Sequence, residues 1–198
     1  MKLIDQLRTL PERLHAQRPQ LREILATLGE SSAALVLLLF SLPAIVPTPG
    51  VPAGMLFGSL LTLVGLQMTL GILPIRIPPG LSGLRIEHAT LHRVIARTVP
   101  YLEKSERWIR PRLSSLVTPF ATRAIGLVIC VMGVLIALPI PFGNTVPGLA
   151  VLLLALGLGQ RDGVAILVGM VLALVACATS WGLLAGSWWV IERFFLPN

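Results

Sequence analysis

Between Arg123 and Glu192 the chain carries only two charged side chains, Arg161 and Asp162, adjacent in "GLGQRDG", residues 157–163. A guanidinium presents five donors in a planar fork that fits a phosphate or carboxylate, and the amide of Gln160 adds a neutral donor and acceptor. This is chemistry for holding an anion, with Asp162 as the counter-ion of Arg161. The same residues also read as a solvated turn between two helices. Upstream, "PFGNTVPG", residues 141–148, adds Gly143, Asn144, Thr145 and Gly148, where free amides and a helix N-terminus carry partial positive charge. Asn144 or Thr145 is the expected N-cap, a role either fills without any ligand. The first half of the chain offers Gly50, Gly54 and Gln67 in comparable places. The substrate-binding set expected from sequence is therefore Gln67, Gly50, Gly54, Gly143, Asn144, Thr145, Gly148, Gln160, Arg161 and Asp162.

Bond-making chemistry has no comparable support. No paired carboxylates and no nucleophile with a neighbouring base occur, so the chain is not expected to be an enzyme and no catalytic residue is assigned. His88 and His92 are four apart, a spacing that suits a metal on one helix face, but no third ligand stands near them. Cys130 and Cys177 sit in apolar stretches without a CxxC spacing and read as small buried hydrophobes. Neither a metal nor any other cofactor is expected.

Composition fixes the solvent in which these residues must work. Of the 198 residues 55% are hydrophobic and 13% charged, and three windows lack Asp, Glu, Lys and Arg altogether: 31–75, 124–160 and 163–191. Each exceeds the ~20 apolar residues that a helix needs to cross a bilayer, so the chain reads as a multi-pass membrane protein. Charged residues precede the first window, which is not the pattern of a cleaved signal peptide. Five of the sixteen basic residues lie in 1–30 and nine in 76–123, which assigns both segments to the cytoplasm. The net charge of +7 comes without the aromatic and basic interleaving or zinc spacing of nucleic-acid binders; anionic headgroups are the expected partners, not nucleic acid.

Four segments follow. Residues 1–30 place Leu3, Leu7, Leu10 and Leu14, then Leu21, Ile24, Leu25 and Leu28, at helical spacing, predicting two amphipathic helices broken near Pro19. They lie on the membrane surface or on the protein's own cytoplasmic face. Residues 31–75 form a first membrane hairpin that enters and leaves on one side. Residues 76–123 are a basic cytoplasmic amphipathic linker, and 124–198 hold a second hairpin and a last helix, whose Trp188 and Trp189 mark an interfacial belt. The fold class is all-α: a polytopic helical membrane protein with two Pro/Gly-broken helical hairpin repeats joined by that linker.

The repeat rests on "SLPAIVPTPGVPAG" and "ALPIPFGNTVPG", each followed by a Leu-rich stretch ending in Gln67 or Gln160. Two readings of the proline loops stand open. As ordinary turns at the outer surface they need no special setting. As tips of half-length helices they lie within the membrane, where irregular backbone must be enclosed by protein or water. The flanking helices 32–46 and 145–159, fifteen residues each, are short of a full span, and such broken helices frame binding sites in carriers.

"LPIPFGNTVPGLAVLLLALGLGQRDG", "PTPGVPAGMLFGSLLTLVGLQ" and "RPRLSSLVTPFATRAIG" together resemble the ExoD-type exopolysaccharide-synthesis membrane proteins, from about residue 30 to 180. The resemblance implies a bacterial inner-membrane (plasma-membrane) protein implicated in exopolysaccharide production. It supplies no catalytic residues. The first functional expectation is a carrier that binds and translocates an anionic lipid or polyprenyl phosphate between the repeats. The alternative is a non-transporting scaffold or regulator of exopolysaccharide-synthesis proteins, in which Gly54, Gly58, Gly65, Gly126, Gly133 and Gly157 serve close helix packing. A homo-oligomer is compatible with either.

Overall fold

The computed structural model describes residues 5, 8–10, 20–29, 31–45, 53–76, 99, 103, 113, 117–138 and 144–195. Among the described residues six α-helices are bounded: α1 (Leu21–Leu28), α2 (Ser31–Ile45), α3 (Ala53–Thr69), α4 (Pro119–Ala137), α5 (Thr145–Gln160) and α6 (Gly163–Phe195). The tips of both proline loops, the break near Pro19, His88, His92 and nearly all of the linker lie outside the described residues, as do the side chains of Trp188 and Trp189.

Local rules account for the helix ends. Gln20 and Glu23 form a reciprocal capping box on α1, which buries Ile24, Leu25 and Leu28 and exposes Glu23. Thr118 caps α4, its hydroxyl oxygen accepting from the Ala121 amide at 3.1 Å, and Pro119 takes the first helical position, where no amide is needed. α4 stops at Leu138, the residue before Pro139. The helices α2 and α5, ~22 and ~24 Å long at 1.5 Å per residue, match the short lengths expected.

The tightest packing joins α3 to α4. A Cβ built on Gly58 would lie 2.5 Å from the Ala137 nitrogen and 2.7 Å from the Gly133 carbonyl oxygen; one on Gly126 would lie 2.7 Å from the Thr69 nitrogen. Gly65 in turn faces the Cys130 backbone. Gly58 thus meets the end of α4, Gly65 its middle and Thr69 the turn of Gly126, so the two helices run antiparallel with their backbones in contact. Only glycine permits that approach. The second hairpin places α5 against α2 and α6. Leu37, Leu61, Met68, Ile129, Met132, Ile136, Val151 and Leu154 fill the space between the helices and are almost wholly buried.

The outside is as apolar as the inside. Along α6, Ala165, Ile166, Ala173 and Ala176 are buried, while Val164, Leu167, Val168, Val171, Leu174 and Val175 face outward. A water-exposed helix would carry polar residues there. α4 and residues Gly163–Leu183 of α6 are long and apolar enough to cross a membrane; α2, α3 and α5 are apolar but shorter. Inside the helices, the hydroxyls of Ser41, Ser59, Thr62, Thr69 and Thr179 each donate to a carbonyl of their own helix at 2.6–3.1 Å. That satisfies them without a partner from another element.

Candidate functional site

Helix ends meet at two levels. At one, α3 and α5 begin side by side: the α-carbon of Gly54 faces the Asn144 side-chain amide and the Ile136 carbonyl. Thr145 and Gly148 lie in the first turn of α5, whereas Gly50 and Gly143 are outside the described residues. The starts of the two loop-following helices are therefore adjacent. Asn144 occupies the N-cap position, yet its side chain does not cap. Its Oδ1 is buried without a hydrogen-bond partner among the described residues.

The other level holds Gln67, Gln160, Arg161 and Asp162. α5 separates this group from Asn144 by ~24 Å, so the residues grouped by sequence fall at opposite ends of the bundle. Here the turn after α1, the beginnings of α2 and α4 and the ends of α3 and α5 surround a cavity of about 990 Å³. Arg123, Arg161, Gln160, Thr118 and Thr122 supply its polar wall, and no Asp or Glu lines it among the described residues. The N-terminus of α4 opens onto the same space and adds partial positive charge. Both arginines are exposed at its edge, so the described part of the wall carries positive charge.

The backbone explains how "QRDG" is arranged. Arg161 adopts a left-handed conformation, φ 52° and ψ 40°, and ends α5: the Asp162 amide donates to the Gly157 carbonyl at 2.8 Å and the Arg161 amide to that of Leu158 at 3.4 Å. Glycine is the usual residue at such a position. Asp162, 2% exposed, caps the next helix, its Oδ1 accepting from the amides of Val164 at 2.9 Å and Ala165 at 3.2 Å. The corner closes because Gly157 lies against the Ile166 backbone, where a Cβ would be 2.9 Å from its nitrogen.

The two glutamines differ. Gln67 grips the backbone of Arg76 at both ends of its amide: Oε1 accepts from the Arg76 nitrogen at 2.6 Å and Nε2 donates to its carbonyl at 3.0 Å. The chain can return to Gln67 because Gly71, at φ 73°, turns it after α3, and the Ile75 amide then donates to the buried Ser32 hydroxyl oxygen at 3.4 Å. Gln160 is 7% exposed, and its Nε2 has no partner among the described residues.

Arg123 had no distinguishing sequence signal, being one of nine basic residues in 76–123. Its place becomes evident only from Gly71, whose Cβ would lie 2.9–3.2 Å from the Arg123 guanidinium: a missing side chain makes the seat on which that group rests. Cys130 is half-buried and Cys177 exposed, a departure for Cys177 that follows from its position on the outward face of α6. Among the described residues no cluster of His, Cys, Asp or Glu is arranged to hold a metal.

The family model described as "Exopolysaccharide synthesis, ExoD" matches residues 3–182, which takes in both levels of helix ends and all six helices up to the middle of α6. The chain belongs to the ExoD family. Protein ExoD of Rhizobium meliloti is 36% identical over 149 residues, covering 72% of this chain and 61% of that protein. An uncharacterised protein of Synechocystis is 25% identical over 156 residues, 78% of this chain and 74% of its own. This chain thus spans under two thirds of the length of the Rhizobium relative. No solved structure matches.

Proposed function

We propose that this ExoD-family chain is a non-enzymatic, multi-pass protein of the bacterial inner membrane that serves exopolysaccharide synthesis by binding the anionic end of a lipid-linked intermediate, such as a polyprenyl phosphate. The observation that carries this reading is Arg161. A left-handed backbone costs a non-glycine residue ~1–2 kcal/mol, so a position suited to glycine instead holds a guanidinium at the edge of a cavity that no acid lines among the described residues. Charge and size agree: about 990 Å³ accommodates a phosphate with a sugar, and the outward apolar faces suit acyl or polyprenyl chains. Capture is the step the geometry supports. Passage through the bundle, the other half of a carrier's task, requires a second arrangement in which the packed centre opens.

The test is Arg161→Gly. It removes the guanidinium while relieving the backbone, so the protein accumulates normally and unfolds at the wild-type temperature or above it. Polymer yield falls sharply, and Arg161→Lys restores part of it because the charge returns without the fork. Wild-type yield from Arg161→Gly at normal abundance refutes the reading. The scaffold alternative draws on the glycine contact between α3 and α4, and it is favoured if yield follows that contact and ignores Arg161.

A further inference from the structure

We infer that Gln160 is the specificity-determining donor of this cavity, giving its Nε2–H to an oxygen of a phosphate group held by Arg123 and Arg161. The inference rests on the proposed function and assigns the residue and ligand chemistry that complete the site. Arginines at the edge attract many anions, but Gln160 is 93% removed from solvent, lines the same cavity and has an Nε2 that meets no acceptor among the described residues. An amide cannot shed its polarity by titrating, so a buried amide donor left open lowers stability unless an acceptor reaches it.

Gln67 supplies an internal contrast. Both glutamines stand near the end of the helix that follows a proline loop, in "GLQ" and "GLGQ". After α3 the chain turns through Gly71 and lays the Arg76 backbone on Gln67. After α5 it cannot do so, because Arg161 ends the helix and Asp162 starts α6 at once. The acceptor for Gln160 must then come from elsewhere, and its Nε2 meets neither threonine hydroxyl of the cavity wall: that of Thr118 is turned to the Ala121 amide and that of Thr122 to the Thr118 carbonyl, at 3.0 Å. A phosphate fits what is left. It has several acceptor oxygens, so one can meet the amide while others meet the two guanidinium groups.

The experiment uses the full chain purified in detergent, with inorganic pyrophosphate as the soluble probe and dioctanoyl phosphatidic acid as the lipid probe. Binding and thermal unfolding are measured for wild type, Gln160→Met, Gln160→Glu, Gln67→Met and Arg161→Ala. Gln160→Met keeps the length of the side chain and removes the open donor. Without ligand it unfolds at a higher temperature than wild type, while its affinity for the lipid phosphate drops about tenfold to a hundredfold, the effect of one hydrogen bond to a charged group. Gln160→Glu, which places an acceptor and a negative charge there, loses more. Gln67→Met does the opposite: it unfolds earlier, having released Arg76, and binds as wild type does. Wild-type affinity in both Gln160 variants overturns the inference. So does a lowered unfolding temperature of ligand-free Gln160→Met, since the amide is then already paired, as by an ordered water. Binding of pyrophosphate but not the lipid, lost in Gln160→Met, upholds the phosphate contact and removes the lipid from the proposed function. Normal binding by Arg161→Ala refutes the proposed function itself, whichever way Gln160 behaves.

Discussion

Gly58→Ala adds one methyl group at the point where α3 and α4 touch. Its carbon would fall 2.5, 2.7 and 2.9 Å from the Ala137 nitrogen, the Gly133 oxygen and the Ala137 α-carbon, all backbone atoms of a single helix. Ordinary contact begins at ~3.5 Å between carbons, so the helices must part by ~1 Å, and no side chain can swing aside to spare them. Overpacking of this kind costs ~1–3 kcal/mol. The better helix propensity of alanine returns ~0.5–1 kcal/mol, leaving a net loss of up to ~2.5 kcal/mol. The matched control is Gly182→Ala on α6, where an added Cβ meets nothing within 4 Å. There only the propensity gain applies, and the sign reverses. Thermal or denaturant unfolding of the two variants in the same detergent measures both. A gain in stability for Gly58→Ala equal to that of Gly182→Ala would refute the close backbone contact of α3 and α4.

Asp162→Ala should lower stability by ~1 kcal/mol through loss of the α6 cap, whereas Asp162→Asn, which keeps a capping oxygen, should lose little; equal unfolding temperatures for Asp162→Ala and wild type would deny the cap its role. A cysteine placed at Ser105 in the basic linker should escape an impermeant thiol reagent applied to cells with a permeabilised outer membrane. Labelling at the rate of a periplasmic control would reverse the cytoplasmic assignment.

Sequence periodicity and length located much of this arrangement. The short helix expected over 32–46 is α2 at Ser31–Ile45, that over 145–159 is α5 at Thr145–Gln160, and the buried Ile24, Leu25 and Leu28 are those spaced for an amphipathic α1. The glycines assigned to close packing do pack closely at 54, 58, 65, 126, 133 and 157. Which partner each would meet was not legible, because glycine spacing marks a face and not its neighbour. Nor was the function of single polar groups. Asp162 next to Arg161 reads as a counter-ion in one dimension, but the left-handed turn between them aims its carboxylate at the start of α6. Gln67 and Gln160 look alike in sequence and differ only because the chain returns over one of them. Arg161 defies the local rule that favours glycine, and there the physics of the backbone and of the site pull apart.

The hydroxyls bonded back to their own helices have an electrical consequence. Ser41, Ser59, Thr62, Thr69 and Thr179 offer no relay from helix to helix, and Leu37, Ile129, Met132, Val151 and Leu154 occupy the interval between the two levels of helix ends. A proton hopping from Asn144 towards Gln160 would find no succession of acceptors on the described side chains. If the bundle spans the membrane as proposed, its described interior is a dielectric plug, with the guanidinium groups of Arg123 and Arg161 at one face of it. Under that proposal, moving a bound anion to the far face requires the plug itself to part.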